Sequence, residues 1–148
     1  MSTWIFQGNP ATFRINDAVK ELEWTTWLVK VHHGKMRPRD TVYLWRSAHD
    51  GEPAGVIAKT EMQGTVIPMF SPHEIVAYWV DPEIKNSRED RVRLNILERC
   101  SETREMITRE AILDDEILKT MLVIRQPHGT NFLLSDEHVE RLEELWNQ

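Results

Sequence analysis

Gln7 and Asn9 place two carboxamides on either side of Gly8, directly after the apolar Trp4-Ile5-Phe6 and before Pro10. Each carboxamide offers a donor and an acceptor, and the glycine between them lets another group come close to the backbone. The loop is therefore suited to reading a flat polar edge. The same residue types also build turns whose amides satisfy their own backbone. Farther on, Trp24, Trp27, Tyr43 and Trp45 fall within 22 residues. Aromatic faces stack on planar bases, which makes Trp24, Trp27, Trp45 and Trp79 candidate stacking rings, with Thr25, Thr26 and Ser47 as small polar contacts. Tryptophans fill small cores equally well, so pocket and core both stay open on residue types alone.

Other chemistries find less support. There is no Gly-x-Gly-x-x-Gly, P-loop, Gly-x-Ser-x-Gly or His-Glu-x-x-His. His32 and His33 are adjacent, and neighbouring residues of one strand point to opposite faces. One strand would not aim both at a single metal, and partners would have to come from His49 or His128. No metal and no cofactor are expected. Glu52, Glu61, Asp81, Glu83, Asp114 and Asp115 are abundant acids without a defined pairing. Cys100 has Arg99 beside it but no Cys-His signature, so an inert thiol is the expectation.

The charge distribution bears on partners. The chain has 148 residues, 18 Lys or Arg and 24 Asp or Glu, for a net charge of -6. That balance argues against broad, non-specific nucleic-acid binding. Residues 1–60 hold eight basic against six acidic side chains, and the remainder ten against eighteen. A phosphate-facing surface accordingly belongs to the first part, through Lys30, Lys35, Arg37, Arg39 and Arg46, with Lys59 beyond them. Arg88, Arg91, Arg93 and Arg99 are a second basic set, interleaved with acids that favour a solvated surface. One cysteine excludes an internal disulfide, and no window of roughly 18 apolar residues or signal-peptide pattern is present. A cytoplasmic location with no membrane partner is expected.

The elements that must position these residues are short. Trp4 to Phe6, Trp27 to Val31, Val42 to Trp45 and Val56 to Ala58 read as strands separated by turn chemistry, the last continuing toward Met62 with a bend or bulge at Gly64. Asn16 reads as the N-cap of a helix through Leu22. Pro68 to Pro72 reads as a loop with Met69 and Phe70 rimming a pocket or plugging a barrel end. Ile75 to Val80 fits a strand or the end of a short helix. Val92, Leu94 and Ile96 alternate as a half-buried strand. Asp114-Asp115-Glu116 opens a helix with Ile117, Leu118, Met121 and Leu122 on its stripe, and Val123-Ile124 returns to the sheet. A Pro127-His128-Gly129 turn, a Phe132-Leu133-Leu134 strand and a helix capped by Ser135 complete the chain, with Val139, Leu142, Leu145 and Trp146 on its apolar side. The pattern is a single domain, 1–148, of many strands and peripheral helices.

Several segments together resemble the EVE domain, a member of the PUA-like superfamily related to YTH modified-base readers. They are Trp4-Ile5-Phe6-Gln7-Gly8-Asn9-Pro10, Trp27-Leu28-Val29, Arg39-Asp40-Thr41-Val42-Tyr43-Leu44-Trp45, Gly55-Val56-Ile57-Ala58 and Gly129-Thr130-Asn131-Phe132-Leu133-Leu134-Ser135. The resemblance implies a mixed α/β fold, a PUA-like curled β-barrel with peripheral helices. It also implies a non-catalytic domain that reads a modified base of DNA or RNA, modified cytosine in DNA foremost, flipped into an aromatic pocket. Gln7, Asn9, Trp24, Thr25, Trp27, Trp45 and Ser47 would contact the base. Trp27 matches the EVE pattern and Trp24 the YTH order. An effector protein would supply downstream action. The alternatives are an enzyme acting on nucleotides or RNA, and an interaction scaffold with a vestigial pocket. One departure stands out: the family commonly has Gly-Asp where this chain has Arg39-Asp40, so that turn must accept a side chain.

Overall fold

Trp4, Ile5 and Phe6 are all fully buried in the computed structural model of the chain, which describes residues 1–101, 103–126 and 128–148. They belong to β1 (Thr3–Gly8), which lies between β3 (Thr41–Arg46), paired in parallel, and β7 (Asn131–Leu133), paired antiparallel. With β2 (Trp24–Leu28), β4 (Gly55–Phe70) and β5 (Arg88–Arg99), the sheet runs in the order β2-β5-β4-β3-β1-β7. The two-residue β6 (Ile107–Thr108) pairs beside β4 at its start.

Alternation along β1 and β3 divides the interior into two cores. Trp4, Phe6, Val42 and Leu44 face one cluster, with Phe13, Ile15, Trp27 and Leu94; Ile5, Tyr43 and Trp45 face the other, with Ile112, Leu118, Leu142 and Trp146. The period of two produces this split, because successive strand side chains leave on opposite faces. The helices are α1 (Ile15–Glu21), α2 (His73–Val76), α3 (Arg109–Leu113), α4 (Leu122–Arg125) and α5 (Asp136–Trp146). Ser135 Oγ accepts from His138 N at 3.3 Å and starts α5, as its sequence indicates.

Strand pairing among the described residues does not close the sheet into the expected PUA-like curled barrel. Edge strands β2 and β7 share no ladder, and the Asn131 carboxamide joins them: its Oδ1 accepts from Lys30 N at 2.7 Å and its Nδ2 donates to Leu28 O at 3.1 Å. Asn131 is 3% exposed, so both bonds are made out of water. One side chain thus holds the sheet's two ends together where a ladder would otherwise be needed.

Other expectations change for local reasons. The second strand ends at Leu28, and His32 takes a left-handed conformation, φ 63°, so His32 and His33 are not strand neighbours. His32 packs against Trp4 at 5.6 Å between ring centroids, and His33 pairs with Asp90 at 3.0 Å. β4 runs on to Phe70 where a loop was expected at Pro68. Gly64 makes the irregularity at φ 84°, and β3 pairs β4 only as far as Glu61, so Pro68 faces no β3 partner with its missing N–H. Met69 and Phe70 end on this two-stranded arm with β5, and Phe70 is exposed. Asn16 does not cap α1, whose cap position is Arg14; its Oδ1 accepts from Arg46 Nη1 at 3.0 Å. Val123 and Ile124 lie in α4, not the sheet. Asp115 follows α3 and accepts from Ile117 N and Leu118 N, both at 3.0 Å, so the acidic start yields only a short 3-10 turn (Leu118–Thr120). Pro127 of the expected turn lies outside the described residues.

Arg39 has φ 73°, a left-handed conformation that a glycine before Asp40 would take without a side-chain penalty. The left-handed conformation costs a side-chain residue roughly 1–2 kcal/mol, while glycine costs about 0.4–1 kcal/mol of unfolded-state entropy. Arg39→Gly is accordingly expected to leave stability unchanged or raise it by up to about 1 kcal/mol. Urea unfolding checks this, and a clear loss would show that the arginine side chain stabilises the turn.

Candidate nucleobase site

The loop expected from Gln7 begins only at Asn9, because Gln7 and Gly8 still pair with Trp45 and Arg46 as the last residues of β1; at this end of the strand the structure holds a cavity of about 260 Å³. Its walls include Gln7, Asn9, Phe13, Trp27, Ser47 and Trp79, together with His128 to Thr130. Four of the seven residues expected to contact a base therefore meet: Gln7, Asn9, Trp27 and Ser47. Backbone bonds from Gln7 N to Thr130 O at 2.8 Å and from Ser47 N to Gly8 O at 3.0 Å bring the three segments together.

Gly8 has a specific reason. A Cβ there would sit 2.8 Å from Ile15 Cδ1 and 2.9 Å from Trp27 Cζ2, so the indole packs where any side chain would stand. Trp27 Nε1 donates to Gln7 O at 3.3 Å, locking the ring to the loop. Phe13 meets Trp27 edge-on at 5.7 Å and 79°, and Trp79 at 4.8 Å and 53°. These rings form one continuous wall rather than two parallel plates. A flat ligand would stack against that wall and present its edge to the polar rim.

The rim has both spent and available groups. Gln7 Nε2 donates to Gly129 O at 2.6 Å, and Asn9 Oδ1 accepts from Ala11 N at 2.9 Å. Asn9 is exposed, and its Nδ2 has no partner among the described residues; the same holds for the Ser47 hydroxyl. The indole N–H of Trp79 is buried and also lacks an acceptor. His128 is the one titratable side chain among the lining residues described, so the recess is essentially uncharged and suits a neutral ring better than a phosphate.

The other expected residues stand elsewhere. Trp45 is 2% exposed and packs in the core on the opposite sheet face, because it alternates with Leu44 along β3. Thr25 is buried, with Oγ1 donating to Thr26 O at 3.2 Å, and it does not line the cavity; Thr26 does. Trp24 is half-buried beneath the Arg93 guanidinium, 4.1 Å from the ring centroid. Phe13 was not marked by sequence, since a lone Phe in a polar loop carries no signal until Trp79 and Trp27 flank it.

Of the residues expected to face phosphate, Lys30, Lys35, Arg37 and Arg39 are exposed on the segment following β2. That segment begins beside the cavity, for Lys30 N bonds Asn131 next to Thr130. Arg37 Nη1 donates to Gly34 O at 2.7 Å and Met36 O at 3.0 Å. Arg46 is 7% exposed and points away from this surface, donating to Asn16 Oδ1 and to Pro53 O at 2.6 Å, with Glu52 at 3.0 Å. Arg91 is also buried, its Nη1 donating to Met69 O and Ser87 O. Among the described residues, no group of three or more His, Cys, Asp or Glu is placed to hold a metal ion. None of the helices described is long and apolar enough to cross a membrane.

Sheet, flanking helices and uncharged recess together define a mixed α/β domain with a small aromatic cavity at one end. The chain belongs to the EVE domain family, whose profile matches residues 2–145. No curated protein matches it. Similar solved structures include a hypothetical protein from Leishmania major, at 15% identity and TM-score 0.72, covering 99% of this chain and 95% of that one. Human THYN1, solved in complex with 5-methylcytosine containing DNA, is 12% identical with a TM-score of 0.71, covering 100% and 99% of the two chains. A protein from Rhodopseudomonas palustris is 14% identical, TM-score 0.68, covering 99% and 94%. The TM-scores establish a shared fold.

Proposed function

We propose that this domain is a non-catalytic reader of a modified nucleobase, with modified cytosine in DNA as the foremost ligand and a methylated base in RNA as the second. The observation that carries the reading is the uncharged aromatic cavity with unpartnered polar groups on its rim. At about 260 Å³ it falls just below the roughly 300–1,000 Å³ of ordinary small-molecule sites, a size for one ring system. The THYN1 complex with 5-methylcytosine containing DNA supports the choice of ligand.

In this mechanism the base leaves its stack and lies against the Phe13, Trp27 and Trp79 wall, where one aromatic stack contributes about 1–3 kcal/mol. The Asn9 amide donates to an acceptor on the base edge, and Ser47 and backbone groups add further contacts. Lys30, Lys35, Arg37 and Arg39 meet the flanking phosphates, which carry general strand affinity. A partner protein would convert recognition into action. Enzymatic chemistry is less well served, since His128 has no second titratable group beside it among the lining residues.

The test is a tryptophan-fluorescence titration with matched oligonucleotides bearing cytosine, 5-methylcytosine, 5-hydroxymethylcytosine or N6-methyladenine. Saturable binding selective for one mark is expected. Asn9→Ala is expected to cut that selectivity by about fivefold, the worth of one hydrogen bond near 1 kcal/mol, while leaving the salt dependence intact. Equal loss for marked and unmarked strands would remove Asn9 from edge reading. Absence of any selectivity in the wild-type chain would overturn the function.

A further inference from the structure

Four residues that line the base cavity, Gln7, Trp27, Leu28 and Thr130, are tied into a closed circuit, and Asn131, which does not line it, completes the ring. Gln7 N donates to Thr130 O at 2.8 Å, Asn131 Nδ2 donates to Leu28 O at 3.1 Å, and Trp27 Nε1 donates to Gln7 O at 3.3 Å. The peptide links from Thr130 to Asn131 and from Trp27 to Leu28 close the circuit. It draws β1, β2 and the start of β7 together around the cavity. Of its three hydrogen bonds, only the one from Asn131 crosses the seam between β2 and β7, where no ladder exists.

The other end of the same carboxamide serves a different part of the surface. Asn131 Oδ1 accepts from Lys30 N at 2.7 Å, at the point where the exposed segment carrying Lys30, Lys35, Arg37 and Arg39 begins. Asn131 is buried and its backbone is held in register with Phe6 of β1, so water does not simply replace either partner. A carboxamide donates at one end and accepts at the other, and this position uses both ends. Aspartate would keep the acceptor for Lys30 N but set an oxygen against Leu28 O. Alanine would lose both bonds.

We infer that Asn131 is the positioning residue of the base site. Its Nδ2 bond fixes the Trp27 side of the cavity relative to Thr130, and its Oδ1 bond sets where the phosphate-facing segment starts relative to that cavity. The assignment of base and phosphate to these surfaces rests on the proposed function; the coupling of the two surfaces through one side chain does not. Walls joined by a ladder would keep their spacing whatever stood at position 131. Here, among the described residues, hydrogen bonding across the seam rests on this carboxamide alone. Binding and the ring are then linked in both directions: a base that needs the ring closed must also hold it closed.

The experiment compares the wild-type chain with Asn131→Asp and Asn131→Ala, using single-stranded oligonucleotides that carry cytosine or 5-methylcytosine, under conditions where urea unfolding shows each protein folded. Asn131→Asp is expected to reduce selectivity for the mark about fivefold while the salt slope stays as in the wild type, since Lys30 N keeps its acceptor. Asn131→Ala is expected to lose the same selectivity and also to flatten the salt slope by about 0.7, the share of one phosphate contact on a single strand. Undiminished selectivity in folded Asn131→Asp, or an equal loss for both oligonucleotides, would reduce Asn131 to a tie within the fold and overturn the inference. A second measurement needs no variant to fold. In nitrogen-15-labelled wild-type protein the 5-methylcytosine strand is expected to slow hydrogen exchange at the Trp27 indole N–H and the Lys30 amide more than the unmarked strand does; equal exchange with the two strands would likewise overturn it. If the wild type shows no selectivity at all, the base reading falls, and the coupling is read from the free proteins instead. A shifted Trp27 indole resonance in Asn131→Asp then upholds it, and an unshifted one overturns it.

Discussion

Trp27→Ala is expected to destabilise the domain by about 3–5 kcal/mol, the usual cost of emptying a large buried aromatic site. Trp27 is 6% exposed, meets Phe13 edge-on, fills the space left by Gly8 and donates its indole N–H to Gln7 O. Domains of this size have about 5–15 kcal/mol in total, so the variant stands near the limit of folding. A simple binding assay on it would confuse unfolding with loss of the site. Trp27→Phe separates the two roles: it keeps an aromatic body, loses the N–H and part of the wall, and is expected to cost about 1–3 kcal/mol. Urea unfolding gives the stability, and titration with modified and unmodified oligonucleotides under folded conditions gives the selectivity. A folded Trp27→Phe protein with undiminished selectivity would make Trp27 a core residue and nothing more. Trp79, half-buried on the same wall, is the cleaner position for a functional probe.

Asp40→Ala is expected to cost a similar amount, about 3–5 kcal/mol, through a different mechanism. Asp40 is 1% exposed, and its Oδ2 accepts from Trp4 Nε1 at 3.0 Å and Arg37 N at 3.1 Å, while Oδ1 accepts from Ser2 N at 3.1 Å. Alanine would leave the indole N–H of the fully buried Trp4 without an acceptor. Asn is expected to fall between wild type and Ala, since its amide oxygen serves one side and its NH2 opposes a donor on the other. The effect reaches the site through register: Thr3 pairs with Thr41 beside this carboxylate, and Gln7 pairs with Trp45 at the far end of the same parallel ladder. Denaturation of both variants checks the order. A loss below about 1 kcal/mol for Ala would mean that water takes over the three donors.

Much of this arrangement was legible from local pattern. The core of strand β1, the turn at Asn9 and the Ser135-capped helix follow from apolar runs and turn or cap residues that act within a few positions, whereas the strand's extension through Gln7 and Gly8 depends on pairing with β3. At Arg39 the resemblance indicated only a turn that must accept a side chain, and the left-handed backbone is read from the structure. Long β4 was not legible, because Pro68 is tolerated only where β3 has already ended. Val123 and Ile124 were misplaced for a related reason: four apolar residues fit strand or helix equally, and packing against the second core decides.

The site divides in the same way. Residue types alone singled out the carboxamide loop and a group of tryptophans able to stack, since donors, acceptors and aromatic faces are properties of side chains. Which tryptophan faces the cavity was decided only by the folded sheet, where alternation sends Trp45 to one core and the chain's curl brings Trp27 to Gln7. Phe13 and Trp79 join them across 66 residues of sequence through tertiary contact. Charge followed the same rule: the sequence determined how many arginines there are, while burial and its partners Asn16 and Pro53 decided that Arg46 points away from the basic segment after β2. Composition acts through each residue separately, whereas a site needs distant residues within a few ångströms, and only the tertiary structure supplies that proximity.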